Sequence, residues 1–248
     1  MKIVSAQMLL ALPLLSLAGI SSRPNAVDRV KFEIKSLNDL EIHSAKLDGA
    51  ATPANPSVSI SDYLGRRAIQ LVNRAGLTAK GTPANGETIA IVTGSDFSDG
   101  TIEVRVAGLP REGAQPGVRG FVGLAFRVAA HGVQYECISL RQTNGRANDQ
   151  LRRNHTAQYS AYPDFPWRRL REESPGVYES YTDVDPWAWT RMKIVVRATT
   201  ARLYVNGAAQ PCLIVNDLKL GKASGPIALW VGTDTVGYFS DLVVERTL

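Results

Sequence analysis

Short segments in which apolar and polar residues alternate run through most of the chain, and they constrain its fold more than any other feature. In TIEVRVAG, the apolar residues Ile102, Val104 and Val106 are separated by polar or charged residues. RMKIVVR and ARLYVNG repeat this pattern, and the second ends in Asn206-Gly207, a pair that favours a tight hairpin turn because both residues tolerate positive φ. A repeat of two residues is typical of a half-buried β-strand.

The same pattern predicts strands across the rest of the chain. They are expected at Val30–Ile34, Ser57–Ile60, Ala68–Val72, Thr88–Val92, Gly120–Val128, Val133–Leu140, Ile227–Val231 and Tyr238–Glu245. Helical periodicity is nearly absent, and the one candidate is Asn148–Asn154. Many short strands separated by turn residues predict an all-β fold, an antiparallel β-sandwich or jelly roll in which two sheets pack face to face.

Residues 1–22 have the composition of a secretory signal peptide. Lys2 precedes an apolar stretch from Met8 to Leu17, and small residues follow it. This stretch is shorter than the roughly 20 residues that span a bilayer, so no membrane span is expected. We therefore predict a signal peptide over 1–22, a secreted or periplasmic protein, and a single mature domain over 27–248. An N-terminal membrane anchor is the alternative.

One long segment, at about residues 141–185, departs from the alternating pattern. Connections between paired strands usually have about two to five residues, and longer ordered loops are often functional. Between Arg141 and Glu173 there are seven arginines and four acidic residues, whereas the whole chain carries a formal charge of +5. Most of the excess positive charge is therefore local, which indicates an anionic partner. Short strands are expected inside the segment around Ala157–Ser160 and Tyr178–Tyr181.

Aromatic and basic side chains are interleaved in this segment, as in NHTAQYSAYPDFPWRRLREE. The apolar face of a sugar ring stacks on Trp or Tyr, and its hydroxyls require placed polar groups. An arginine adds a planar fork that matches a carboxylate or a sulfate. We therefore predict a surface for an acidic or mixed glycan, formed by Arg141, Arg152, Arg153, Tyr159, Trp167 and Arg168. The alternative is a loop packed by its own aromatic residues, with its arginines stacked on them or paired with nearby acids.

Cleavage of a glycan is a second hypothesis. Hydrolysis requires two carboxylates across the scissile bond, and the available acids are Glu103, Glu136, Asp149 and Asp164. A lyase requires a base, a proton donor and a cation, which His155, Tyr159 and Arg153 could supply. His155 and Tyr159 share a face if they lie on one strand. For Glu136, a buried pair with an arginine on a neighbouring strand is the alternative to catalysis.

Cysteines, histidines and scattered carboxylates are the remaining candidates. In an oxidising compartment Cys137 and Cys212 can form a disulfide, or they can remain free thiols. The three histidines lie far apart without zinc spacing, so no metal site or cofactor is predicted. A structural calcium ion could use the carboxylates of Asp183, Asp185 and Asp234, although such residues are more typical of turns. Nucleic acid is not an expected partner of a secreted protein.

Several segments occur in a familiar order: FSDGTIEVRVAG, GFVGLAFRV, WAWTRMKIVV and ARLYVNG. From about Ala68 to Val244 the chain resembles the concanavalin A-like lectin/glucanase superfamily, and more narrowly bacterial laminin-G-like and 3-keto-disaccharide hydrolase-like secreted domains. The resemblance implies a jelly roll whose concave face and bordering loops recognise or process a carbohydrate. The run of acids found in laminarinase-type members is absent, since Glu103 and Glu136 each stand alone. A glycan-binding domain, a glycan-cleaving enzyme and a structural or adhesion domain that binds protein therefore remain open.

Overall fold

The structure is a computed structural model that describes residues 27–32, 36–46, 56–74, 76–77, 83–84 and 86–247. The predicted signal peptide over 1–22 lies outside these residues. Among the residues described, no helix is long and apolar enough to cross a membrane. The described part contains two short α-helices, α1 (Gln150–Asn154) and α2 (Trp167–Glu173).

Seventeen strands account for most of the remaining ordered structure in the described ranges. In chain order they are β1 (Val27–Phe32), β2 (Leu40–Lys46), β3 (Ser57–Tyr63), β4 (Arg66–Val72), β5 (Gly76–Leu77), β6 (Pro83–Ala84), β7 (Gly86–Val92), β8 (Gly100–Pro110), β9 (Phe121–Phe126), β10 (Tyr135–Arg141), β11 (Ala157–Tyr162), β12 (Glu179–Ser180), β13 (Thr190–Arg197), β14 (Thr200–Val205), β15 (Leu213–Val215), β16 (Ala228–Val231) and β17 (Thr235–Thr247).

These strands form two antiparallel sheets and one small hairpin. The eight-stranded sheet has the order β15-β14-β13-β8-β17-β4-β3, and β1 pairs with the last part of β17. The seven-stranded sheet has the order β12-β11-β10-β9-β16-β7-β2, and β5 pairs with β6 separately. The two sheets pack face to face. The predicted all-β fold, an antiparallel sandwich of the jelly-roll class, is confirmed.

The main core lies between the two sheets because the alternating residues of each strand point to opposite faces. The apolar positions of β8 and β13 are almost completely buried in it: Ile102, Val104, Val106, Met192, Ile194 and Val196. From the seven-stranded sheet, Ile138 and Leu140 enter the same core. The alternate residues of β10 face outward, where Tyr135 and Cys137 pack with Trp230 in a second apolar cluster. The seven-stranded sheet is thus packed on both faces.

The long segment predicted as a loop contains four short elements of regular structure. It contains α1, β11, α2 and β12, and its two strands extend the edge of the seven-stranded sheet beside β10. The carboxylate of Asp149 caps α1 by accepting a hydrogen bond from the backbone N–H of Arg152 at 3.1 Å. The strands lie where short strands were expected, whereas α2 was not predicted. Only Leu170 of α2 is buried, so this helix has too few apolar residues to show a helical repeat.

Candidate functional site

Basic and aromatic side chains surround one carboxylate at one end of the outer face of the seven-stranded sheet. Arg141 ends β10, Trp167 and Arg171 belong to α2, and Glu179 begins β12. Helix α2 packs against β11, which brings its side chains over the sheet. Together with Phe121 and His155, these four residues are called the arginine–tryptophan cluster below.

Glu179 is the acidic centre of the arginine–tryptophan cluster. Its side chain is 3% exposed and accepts hydrogen bonds from Arg141 Nη1 at 3.0 Å and from Arg171 Nε at 2.8 Å. The Nδ1 atom of His155 lies 2.9 Å from Glu179 Oε2. Burial raises the pKa of Glu179, but the hydrogen bonds and charges of Arg171 and Arg141 lower it more, so the net pKa lies below the ordinary value. The carboxylate therefore stays ionised and holds both arginines in place.

Arg141 is buried between two aromatic rings. Its guanidinium carbon lies 5.5 Å from the centroid of Trp167 and 5.9 Å from that of Phe121. It also donates hydrogen bonds to the carbonyl oxygen of His155 at 2.9 Å and to the side-chain oxygen of Gln158. Both rings are half-buried, so part of each remains open at the surface. A planar cation fixed between two open rings is a rigid surface of mixed polarity.

Trp167 is contacted by two more guanidinium groups, those of Arg168 at 5.4 Å and Arg171 at 4.6 Å from its ring centroid. The structure thus brings together Arg141, Trp167 and Arg168 from the predicted glycan surface. Arg153 lies elsewhere, because it stacks on the ring of Tyr181 at 4.8 Å and donates a hydrogen bond to its hydroxyl at 2.7 Å.

The four predicted catalytic residues do not share one site. Glu103 lies on the outer face of the eight-stranded sheet, paired with Arg191 and with Lys193, whose Nζ is 3.8 Å away. Glu136 and Tyr159 are completely buried between the sheets. A carboxylate pair made of Glu103 and Glu136 is therefore not formed. Of the other two acids, Asp149 caps α1 and Asp164 is exposed.

Glu136 and Tyr159 form an interior hydrogen-bond network and face away from the arginine–tryptophan cluster. The Tyr159 hydroxyl donates to Glu136 and accepts from the backbone N–H of Lys219 at 2.7 Å. The backbone N–H of Leu220 donates to Glu136 Oε1 at 2.9 Å. Burial raises the pKa of Glu136 although these hydrogen bonds oppose it, and burial also raises the pKa of Tyr159. Tyr159 therefore lies outside the glycan surface in which it was predicted.

His155 and Tyr159 do not lie on the same face, because they do not lie on one strand, which was the condition of that expectation. His155 is the residue after α1 and has φ −102° and ψ 28°, whereas β11 begins at Ala157. Because His155 is not extended, the two-residue repeat does not reach it. Burial lowers its pKa, and the nearby charge of Glu179 only partly offsets this effect.

A carboxylate that was not predicted lies on the same outer face. Glu87 in β7 is 5% exposed and accepts hydrogen bonds from the hydroxyl of Tyr135 at 2.7 Å and from Trp230 Nε1 at 2.8 Å. These partners come from β10 and β16, so only the order of the strands brings them together. No local sequence signal could have identified this group.

The outer face of the eight-stranded sheet carries an aromatic group of its own. Tyr63 stacks on Tyr238 with ring centroids 4.1 Å apart and meets Trp189 edge-on at 5.6 Å. Its hydroxyl donates to the carbonyl oxygen of Trp187 at 2.8 Å, and Trp187 is 55% exposed. These four residues are called the tyrosine–tryptophan cluster. On the same sheet, a depression of about 400 Å³ is lined by residues of β13 and of the hairpin after β14.

The residues predicted as candidates for a disulfide and for a calcium site form neither in the described part of the chain. Cys137 and Cys212 are both free thiols, the first on the outer face of the seven-stranded sheet and the second just before β15 in the other sheet. The three carboxylates considered for calcium pair with arginines instead: Asp183 and Asp185 with Arg146, and Asp234 with Arg111. Within the described ranges, no three His, Cys, Asp or Glu side chains gather so that they could hold a metal ion.

Comparisons with known proteins give only similarities of general shape. No family model matches the chain, and no curated protein sequence matches it. Carbohydrate-binding module CBM66 from Bacillus subtilis is 11% identical, with TM-score 0.49, over 75% of this chain and 92% of that one. A Bacillus subtilis protein described as having a galectin-like fold is 14% identical, with TM-score 0.49, over 85% and 90% of the two chains.

A further solved structure of similar shape is a β-1,3-1,4-glucanase (lichenase) derived from a mouse hindgut metagenome. It is 14% identical, with TM-score 0.48, over 90% of this chain and 99% of that one. The similar structures are of the galectin-like and jelly-roll kind, which is the class resembled by the sequence. At these identities and TM-scores the matches carry no conclusion about the activity of this chain.

Proposed function

We propose that this protein binds a glycan on the outer face of its seven-stranded sheet, with the arginine–tryptophan cluster as the contact surface. The observation that carries the proposal is the arrangement of Arg141 between the half-buried rings of Trp167 and Phe121. Rings of this kind suit the C–H face of a sugar, and guanidinium groups beside them suit its oxygen atoms.

The surface is held rigidly before any ligand arrives. Arg141 and Arg171 are both bound to Glu179, and Trp167 is packed against the guanidinium groups of both. A binding surface that is already ordered loses little conformational entropy when it takes up a ligand. This property supports recognition by the folded sheet face rather than by a loop that orders on binding.

Recognition is favoured over cleavage because the candidate acids are not paired on this face. Glu103 and Glu136 lie in separate places, and Glu179 is already held by two arginines. Glu87 accepts hydrogen bonds from the aromatic side chains of Tyr135 and Trp230. Hydrolysis by a carboxylate pair requires one acid to protonate the leaving oxygen and another to act on the sugar. The composition of residues 1–22 supports a secreted or periplasmic location.

The test is retention of the mature protein on a panel of immobilised neutral and acidic polysaccharides. Trp167→Ala should weaken binding by about tenfold or more, the size expected when a central aromatic anchor is lost. Trp187→Ala is the matched control, because it removes an exposed indole from the loop beside the eight-stranded sheet. Equal binding by the Trp167→Ala variant, or retention on no polysaccharide, would contradict the proposal. New reducing ends during incubation would show cleavage instead of binding alone.

A further inference from the structure

We propose that the bound glycan carries a carboxylate or sulfate group, and that Arg119, Arg152 and Gln158 receive this anion beside the arginine–tryptophan cluster. The inference rests on the proposed function, since it names the chemical class of the ligand for the same face. It adds a residue, Arg119, that the sequence pattern did not single out, and it gives Arg152 a specific role.

Three chain segments meet at this end of the seven-stranded sheet. Arg119 lies just before β9, and its carbonyl oxygen accepts hydrogen bonds from the backbone N–H of Thr143 at 3.3 Å and from the Thr143 hydroxyl at 3.2 Å. The backbone N–H of Arg141 donates a hydrogen bond to the carbonyl oxygen of Thr156 at 2.8 Å, and its side chain donates one to the carbonyl oxygen of His155. The residues before β9, after β10 and between α1 and β11 are therefore adjacent.

Arg119 and Arg152 belong to neighbouring segments at this end of the sheet. Among the described residues, neither guanidinium forms an ion pair, and the only hydrogen bond from the Arg119 side chain goes to the carbonyl oxygen of Val118 at 3.1 Å. Burial lowers the pKa of Arg119, and the positive charge of Arg152 lowers it further. Two cations held close together repel each other, and an anion bound between them removes that repulsion.

Two buried donors in this corner have no hydrogen-bond partner among the residues that the structure describes. One is the Nε atom of Arg152, and the other is the side-chain nitrogen of Gln158. Gln158 is 2% exposed, and its side-chain oxygen is already used by Arg141. It lies on the outer face because its neighbours Ala157 and Tyr159 belong to the main core. Buried polar groups in folded proteins are nearly always paired, so these two donors indicate an acceptor supplied from outside the chain.

The carboxylates that the structure describes around this corner form no ion pair with Arg119 or Arg152. Asp149 accepts a hydrogen bond from the backbone N–H of Arg152 as the cap of α1. Glu179 is bound to Arg141 and Arg171, and His155 lies 2.9 Å from it. The charge left over at this end of the face is therefore positive. An acidic sugar matches both parts of the face, because its ring can cover the open aromatic rings while its anion accepts bonds from the arginines and the amide. A carboxylate and a sulfate share this chemistry, and the experiment separates them.

The experiment compares three immobilised ligands: a polyuronate, the same polyuronate after chemical reduction of its carboxyl groups to alcohols, and a sulfated polysaccharide. The wild-type protein should bind one of the two anionic polymers about tenfold or more tightly than the reduced polymer. Whichever anionic polymer binds identifies the acid group. Arg119→Ala and Arg152→Ala should each remove most of this difference, and binding should weaken with added salt.

The control variant is Arg202→Ala, which removes the same charge from an exposed position of β14 on the other sheet. It should leave all three affinities unchanged. A loss as large as that in Arg152→Ala would mean that overall charge determines binding, and it would overturn the anion site. Equal binding of the reduced polymer and both anionic polymers would also overturn the anion site while leaving glycan binding intact. If all three ligands and the wider panel fail to bind, the proposed function itself is overturned.

Discussion

The two outer faces of the sandwich use the same residue types in opposite ways. On the seven-stranded sheet, arginine, glutamate and aromatic side chains are packed together, and the side chain of Glu179 is 3% exposed. On the eight-stranded sheet, the comparable side chain of Glu103 is 21% exposed and faces solvent-accessible Arg191 and Lys193. The difference comes from the segment that adds β11, α2 and β12 to one sheet and covers part of its face.

Burial therefore determines how much an ion pair contributes to the free energy of unfolding, and the types of charged residue alone do not. A solvent-exposed pair between glutamate and arginine contributes roughly 0–1 kcal/mol. Removing one partner of a buried pair leaves an uncompensated charge and costs about 3–5 kcal/mol. We therefore expect the seven-stranded face to resist rearrangement on binding, and the eight-stranded face to tolerate substitution.

The largest expected contrast is between Glu179→Gln and Glu103→Gln. Glu179→Gln should lower the free energy of unfolding by about 3 kcal/mol or more, because Arg141 stays buried without its carboxylate. Glu103→Gln should lower it by roughly 1 kcal/mol at most. Urea unfolding of both variants and the wild type measures the two values. Similar small losses would show that the two faces do not differ in this way.

A smaller contrast is expected from a matched pair of Tyr→Phe substitutions. Tyr135→Phe removes one donor from the buried carboxylate of Glu87, which should cost about 1.5–3 kcal/mol. Tyr238→Phe removes the hydroxyl that accepts a hydrogen bond from Gln70 Nε2 at 2.9 Å on the half-buried opposite face, and about 0.5 kcal/mol is expected. Thermal or urea unfolding measures both. An equal cost at the two positions would contradict the contrast in burial.

The smallest expected effect is a pH dependence of stability that arises from His155 and Glu179 in the arginine–tryptophan cluster. Burial lowers the pKa of His155 in the folded protein, so the neutral imidazole stabilises the fold. This contribution to the free energy of unfolding is complete above the ordinary histidine pKa of about 6.5. It is lost as the pH falls through the lowered pKa of the folded protein. Glu179 also has a lowered pKa, and its contribution is lost in the same direction, below the ordinary carboxyl pKa of about 4.3.

Unfolding free energies measured between about pH 7.5 and 5.5, on both sides of the ordinary histidine pKa, test this effect. The wild type should lose stability across this range, and His155→Asn should lose less. The control is His131→Asn, since His131 is exposed and adopts φ 59°, a conformation that asparagine tolerates. A wild-type dependence in His155→Asn would mean that another group titrates in this range.

The sequence predicted the fold well where the alternation is strong and poorly where it is weak. The strands β8, β13 and β14 were recognised because each has apolar residues at every second position. Strand β2 was missed because it is an edge strand in which Leu40 is the only buried residue among those whose side chains are described. Strand β15 was missed because it has only three residues.

The side chains gathered on the outer face of the seven-stranded sheet were predicted in part, and the ones that were missed share one property. Arg141, Trp167 and Arg168 were expected to lie together and do so, since they occur in one charged and aromatic segment. Glu87 and Arg119 come from distant parts of the chain and have no unusual neighbours in the sequence. Glu136 and Tyr159 have catalytic residue types, but their strands turn these side chains into the core.

The sequence by itself determined that this chain forms a two-sheet β-sandwich, because the two-residue repeat indicates which side chains of each strand are buried. It also determined where positive charge and aromatic rings are concentrated. Only the tertiary structure decided which residues share a surface, because strand order and the direction of each face depend on contacts between distant strands. The pairing of β10 with β11, and of β11 with β12, is what places Arg141 beside Glu179, and it leaves Glu103 on the opposite side of the molecule.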